Sequence, residues 1–397
     1  MKKVFIAGTC DTKHEELAFA RRQVERAGVK AVVVDVSTRP HDKTCDVHAA
    51  EVAKFHPRGA AAVLSLADRG QAVAAMAEAL AGYLLSRKDV AGVLGLGGSG
   101  NTAIVTAAMR ALPVGLPKLM VSTMASGQVA PYVGPTDIAM MYAVVDVAGL
   151  NAISRKVIGN AAHAIAGMAA HRVAAGKSDK PGLGLTMFGV TTPCVTQIRE
   201  ALGGHHECFV FHATGTGGQS MEKLVDSGFL KAVIDITTTE VADFLVGGIL
   251  PCTEDRFGSI VRTKIPYVAS LGAVDMVNFG ARDTVPATLQ NRKLHVHNPQ
   301  VTLMRTTPAE NAAIGAWITE RLNRMAGPVR MLLPLRGVSA IDKEGETFHD
   351  PAADGALFEA IRRTWVPARN RKLVEVDAHI NDRAFAAEAL RQFHAIT

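Results

Sequence analysis

Short apolar runs, polar or glycine turns, and stretches with apolar residues three and four apart succeed one another along this chain. That rhythm predicts strands alternating with amphipathic helices. KVFIAG (3–8) reads as a strand. Thr12-Lys13-His14-Glu15 then reads as a capping box, with Thr12 as N-cap of a helix that stops at Gly28. KAVVVDV (30–36) is the next strand, and residues 71–86 form an amphipathic helix. Strand 90–95 leads through a glycine loop into helix 101–111. KLMVST (118–123) and MMYAVVDV (140–147) read as strands, and a long helix is expected from Asn151 to Ala175.

AGKSDKPG (175–182) is small, polar and ends in Pro-Gly, as a linker does. A second series follows it. Strands are expected at 183–189, 206–212, 231–237, 329–335 and 372–380. Helices are expected after Thr192-Pro193, after residues 213–220, after Thr307-Pro308-Ala309-Glu310, and near Asn381-Asp382. Such alternation implies two Rossmann-like α/β domains with mainly parallel sheets and a cleft between them. The expected boundaries are 1–178 for a nucleotide-binding domain and 179–397 for a second domain.

Composition fits this class. The chain has 397 residues, 48% hydrophobic and 20% charged, with aromatics at only 5%. Its net charge is +6, but the basic residues are scattered and no basic stripe with aromatics appears. An anionic small ligand therefore fits the charge, and a nucleic-acid partner is not expected. Five cysteines, far apart and in no CxxC pair, imply free thiols in a reduced, cytoplasmic setting. No run approaches the ~18 apolar residues of a membrane span. The opening MKKVFIAG imitates a signal sequence only briefly before Asp11.

The most telling chemistry lies at Gly95–Gly100. This stretch matches GxGxxG, but it follows about the third strand rather than the first. The next strand ends in Ser122-Thr123, where a dinucleotide site needs an acid for the ribose. A Walker loop fails as well, because no Lys-Ser or Lys-Thr follows Gly100. What remains is a glycine nest at a helix start, which suits a phosphate group.

Other loops at expected strand ends add to it. Asp11, Thr12 and Lys13 offer a carboxylate for Mg2+, a hydroxyl and a cation. Ser37-Thr38, Asp68-Arg69-Gly70 and Thr123–Gly127 are further polar clusters. A second glycine loop, Thr214-Gly215-Thr216-Gly217-Gly218, follows His212 and precedes Glu222. With Thr238 and Glu240 after the next strand, it is a second candidate anion site. His295-Val296-His297 has metal-like spacing, but no cysteine or carboxylate accompanies it, so no metal centre is expected. Cys194 lies near a helix start, where a thiol pKa can fall, although no partner is in view. Glu254-Asp255-Arg256 reads as a solvated loop.

The segments GTCDTKHEEL (8–17), VVDVST (33–38), ADRG (67–70), GLGGSGNT (95–102), VSTMASGQVAPYVG (121–134), FHATGTGGQSMEKLVDSG (211–228) and DITTTEVAD (235–243) occur in that order. They resemble the family of the ATP-binding domain of the tomato mosaic virus resistance protein. The resemblance implies an ATP site in the first domain and a homodimer. It points to Asp11, Thr12, Lys13, Thr38, Arg69, Gly97, Gly98, Ser99, Gly100, Ser126 and Gly127, and Thr102 and Thr123 fall within the same motifs. Asn101 stands where the family often has glycine. The plant protein continues into a half resembling a TIM barrel, which implies a separate partner of that kind here.

The resulting expectation is an ATP-binding protein, with Mg2+, that acts as an ATP-dependent enzyme on a small anionic metabolite held by the second domain. The alternative is a non-catalytic, ATP-regulated binding or scaffold protein. No residue stands out as a catalytic base.

Overall fold

In the computed structural model, residues 2–173 and 180–397 are described. The chain divides into two compact units, Met1–Ala175 and Gly176–Thr397. The boundary expected at 178/179 lies outside the described residues.

The first unit carries five parallel strands: β1 (Lys3–Gly8), β2 (Ala31–Asp35), β3 (Val90–Gly97), β4 (Lys118–Ser122) and β5 (Ala139–Tyr142). Their order is β2-β1-β3-β4-β5. Strand periodicity explains the layering. Val4 and Ile6 of β1, Leu94 and Leu96 of β3, and Leu119 and Val121 of β4 feed one apolar cluster. Phe5, Ala7, Val93 and Met120 feed another. Each face of the sheet thus has its own core beneath helices.

The second unit repeats the plan. Its six-stranded sheet comprises β6 (Gly182–Met187), β7 (Glu207–His212), β8 (Leu230–Thr237), β9 (Tyr267–Gly272), β13 (Val329–Pro334) and β14 (Arg371–Val376). The order is β14-β13-β9-β8-β6-β7, and all neighbours are parallel. Between β9 and β13 the chain makes a small antiparallel sheet. It consists of β10 (Met276–Phe279), β11 (Leu294–Asn298) and β12 (Val301–Arg305), in the order β10-β12-β11. The fold is therefore the expected pair of mainly parallel α/β domains, with this small sheet in addition.

Several local expectations change. The first helix starts at Cys10, not beyond Thr12, and its N-cap is Thr9. Lys13 breaks its regularity (φ −127°), so Thr12 and Lys13 sit at a kink. Strand β5 stops at Tyr142 because Val144 turns the chain with φ +66°. The long helix runs Ala152–Ala170, with Asn151 and Ser154 forming a reciprocal capping box. Thr191, rather than Thr192, holds the N-cap position of the helix Thr192–Leu202, and its hydroxyl bonds the Phe188 carbonyl instead of the helix. The capping box at Thr307 and Glu310 is present and starts the helix Pro308–Leu322. Among the described residues, no helix is long and apolar enough to cross a membrane.

Candidate functional site

In an open parallel sheet, the crevice opens at the carboxyl ends of strands whose connections diverge to opposite sides. In the first unit that point lies between β1 and β3. The loops after these two strands are those singled out from sequence. A cleft of about 410 Å³ opens there, bordered by Asp11, Thr12, Lys13, Thr38, Arg69, Gly98, Ser99 and Gly100.

The glycine loop owes its shape to what surrounds it. Gly97 has φ +153°, and a Cβ there would press on Asn101 at 2.8 Å. Gly98 is the N-cap of the helix Ser99–Ala111 and has no side chain with which to cap it. First-turn N–H groups lack intrahelical partners, so they are left to water or an anion. Space above Gly98 is open: a Cβ would meet nothing closer than Thr123 Oγ1 at 3.8 Å. Arg69, at the start of the helix Arg69–Ser86, reaches over the loop, and its Nη2 lies 3.5 Å from where a Gly100 Cβ would stand.

The structure separates the remaining candidates. Thr102 faces away from the cleft and is buried; its hydroxyl bonds the Gly98 carbonyl at 2.8 Å and Ser122 Oγ at 2.6 Å. It braces the loop from below. Ser126 and Gly127 are exposed on the 3-10 turn after β4 and do not border this cleft. Asn101 is buried, and its amide donates to the Leu96 carbonyl. Its Oδ1 is left without a partner. An acceptor in that state suits a ligand hydroxyl or water better than a bare phosphate oxygen.

Sequence reading missed Arg39, Asp146, Val73 and Ile104, which also line the cleft. Asp146 lies near the end of the run 140–147 read as a strand, and its acidic side chain there was the available signal. Lys13, Arg39 and Arg69 share the lining with Asp11 and Asp146, so it is net positive with two carboxylates. Val73 and Ile104 add an apolar wall.

The second glycine loop is built differently. Gly215 has φ +65° and opens the helix Thr216–Asp226. A Cβ at Gly217 would collide with the His212 carbonyl, and one at Gly218 would reach Glu240 Oε1 at 2.5 Å. These glycines serve close packing. Thr214 and Thr216 lie on the loop, and exposed His212 stacks near Phe188 with ring centroids 5.0 Å apart. Glu222 and Glu240 turn inward to Arg256, at 3.2 and 2.9 Å. Arg256 also bonds Asp235 at 2.6 Å, and Tyr267 donates its hydroxyl to Asp235. Thr238 is buried and bonds the Ser270 carbonyl. Arg256, expected in a solvated loop, is thus fully enclosed by three carboxylates. Burial pushes Glu222 up to about 7 against the pull of Arg256, and it raises Glu240 as well.

Cys194 is buried, and burial pushes its thiol up to about 12, opposite to an activated nucleophile. His295 and His297 share β11 with ring centroids 6.5 Å apart, but His295 packs on Phe348. A second cavity of about 470 Å³ opens beyond the ends of β13 and β14, lined by Arg336, Lys343, His349, Asp354 and His379 among others.

Comparison with known proteins matches residues 2–174 to the N-terminal domain of the uncharacterised protein family UPF0261, and residues 180–397 to its C-terminal domain. The chain belongs to this family. It is similar to a UPF0261 protein of Rhizobium meliloti, at 58% identity over 100% of this chain and 99% of that protein. A UPF0261 protein of Clostridium tetani is 44% identical over 97% of this chain and 96% of its own length. The ToMV resistance protein Tm-1(GCR237) of Solanum lycopersicum is 42% identical over 100% of this chain, which covers 56% of the tomato protein.

Proposed function

We propose that the first unit of this protein binds ATP with Mg2+, and that the chain is an ATP-dependent enzyme acting on a small anionic metabolite held by the second unit. One observation carries the nucleotide reading: the loops after β1 and β3 converge on one net-positive cleft beside an uncapped helix start. The phosphates rest on the N–H groups at Gly98–Gly100, with Lys13 and Arg69 to either side. Asp11 and Asp146 are the carboxylates able to reach a bound Mg2+, which would neutralise phosphate charge. Val73 and Ile104 offer an apolar surface to the base, and the unpartnered Asn101 Oδ1 offers an acceptor to a ribose hydroxyl. The cleft volume of about 410 Å³ lies within the usual range for small-ligand sites.

Calorimetric titration with ATP tests this. Wild-type protein binds, and Lys13→Ala binds about tenfold more weakly, because a charge-assisted bond contributes ~1.5–3 kcal/mol. No heat and no thermal shift at millimolar ATP sinks the reading, as does unchanged affinity in Lys13→Ala combined with Gly98→Val.

A second reading has its own support. Glu222 and Glu240, the acids assigned to the second glycine loop, are both engaged by Arg256, which leaves neither carboxylate free as a general base. ATP would then set the conformation of a binding or scaffold protein. ADP formation in the presence of a metabolite set selects the enzyme; binding without turnover selects the scaffold. A homodimer and a separate TIM-barrel partner complete the proposal, resting on likeness to the longer tomato protein. Sedimentation and co-purification test them. Five unpaired thiols support a reducing, cytoplasmic setting.

A further inference from the structure

Beneath the cleft, on the β2 side, lies a second grouping of chemistry-bearing side chains. Cys10 opens the first helix directly after β1, and Asp35 ends β2. Cys45 arrives from a loop that runs back beside β2. That loop is pinned: Val47 exchanges backbone hydrogen bonds with Val33 and Asp35 at 3.1 and 2.9 Å, and Asp46 accepts the Val33 N–H at 2.8 Å. One ligand atom from each of Cys10, Asp35 and Cys45 lies within 4.8 Å of the other two. Around them stand two imidazoles. His48 Nδ1 is 3.4 Å from Cys45 Sγ, and His41 Nε2 is 2.8 Å from Asp35 Oδ2. Asp35, His41 and His48 line one pocket of about 240 Å³ on the side of the grouping away from Cys10.

We propose that Cys10, Asp35 and Cys45, with His48 as fourth donor, form a structural site for a zinc-class divalent metal. Two sulfurs, one carboxylate oxygen and one imidazole nitrogen are a tetrahedral donor set. Tetrahedral bonds to sulfur near ~2.3 Å and to oxygen near ~2.1 Å separate ligand atoms by roughly 3.5–3.8 Å. The three ligand atoms, all within 4.8 Å of one another, would draw together on an ion, and His48 would close in from beside Cys45. Asp35 Oδ1 is held by the Cys10 and Ser37 N–H groups and the Ser37 hydroxyl, and Oδ2 by His41, so the carboxylate is fixed beside the two thiols. Soft sulfur ligands set the site apart from the Mg2+ proposed at Asp11. Binding replaces two S–H bonds by metal–sulfur bonds, and both protons pass to solvent. His41, held on Asp35, orients the carboxylate in the way outer partners orient ligands.

The site reaches the cleft through Ser37. Its hydroxyl lies 2.5 Å from Asp35 Oδ1 and 3.2 Å from Asp11 Oδ1. An ion at Asp35 therefore fastens the segment carrying Thr38 and Arg39 to the start of the first helix.

The test uses the full chain, reduced and stripped with a chelator, with no nucleotide present, so its outcome is independent of ATP binding. Co2+ is added and followed by absorption. The expected result is one equivalent bound with a sulfur-to-cobalt charge-transfer band that Zn2+ displaces. Cys45→Ser cuts that band to half or less, one of its two sulfurs being gone, whereas Cys208→Ser, on β7, keeps it in full. Should Cys45→Ser fail to fold, His48→Ala at the surface must weaken Zn2+ binding about tenfold or more. A folded, reduced protein that shows no charge-transfer band overturns the proposal. So does an undiminished band in Cys45→Ser, or unchanged Zn2+ affinity in His48→Ala.

Discussion

Thr102 and Ser122 share a hydrogen bond of 2.6 Å beneath the glycine loop, joining the first turn of the helix Ser99–Ala111 to the end of β4. Both side chains are fully buried. The bond fixes the height of the loop above the sheet, and Thr102 extends it by bonding the Gly98 carbonyl. Replacing Thr102 with valine keeps the shape and removes both bonds. The expected loss is about 1 kcal/mol, measured by urea unfolding followed by circular dichroism. A neutral result would show that the loop holds itself.

Two glycines of the same motif should respond in opposite ways. A Cβ at Gly95 would collide with Met120 Sδ and come within 2.8 Å of Val105. Gly95→Ala is therefore expected to destabilise the fold by ~1–3 kcal/mol through overpacking. Gly98→Ala has open space and a backbone that any residue adopts (φ −87°). It should melt near wild type while losing affinity for ATP. Thermal melts of the two variants, with and without nucleotide, separate packing from binding.

The enclosure of Arg256 sets another expectation. Removing it leaves Glu222, Asp235 and Glu240 buried without their cation. Arg256→Met should cost ~3–5 kcal/mol, the usual result of breaking a buried ion pair from one side. Trp317 and Trp365 both pack against the core of the second unit, so tryptophan fluorescence in urea reports this change directly.

Glu222 makes the same region sensitive to pH. Its pKa is raised from 4.5 to about 7, chiefly by burial. Between those values the folded chain holds a proton that the unfolded chain has released. Stability therefore falls as pH rises from about 4.5 to about 7 and levels off above. Urea midpoints at pH 5, 6, 7 and 8 should show this decline, and Glu222→Gln should flatten it. An unchanged slope in the variant would assign the effect to another buried acid.

Most of the layered fold was legible because the central strands are continuous apolar runs buried on both faces, as in β1, where Val4 and Ile6 face one core and Phe5 and Ala7 the other. The small antiparallel sheet was not. Its strands are only four or five residues long, and Gly280 and Pro286 fall in the connection between the first two, so no period develops. The two glycine loops could be read because glycine beside a helix start has a local cause. Buried charge has no local cause: Arg256 stands in an acidic run that looks solvated, and only tertiary packing brings Glu222 and Glu240 to it. Likewise Cys10 and Cys45 are distant in sequence and meet because Gly8 and Asp35 are aligned in the sheet. Asp146 escaped notice because the turn at Val144 ends β5 early and brings the acid to the rim.

A helix whose N-cap is Gly98 begins with no side chain to terminate it. Whatever occupies the cleft becomes its cap, so occupancy and the integrity of that first turn are one equilibrium. The exchange of the amide protons of Ser99, Gly100 and Asn101 with deuterated solvent would then act as a built-in meter. It would run fast when only water fills the cleft and slow when an anion closes the turn.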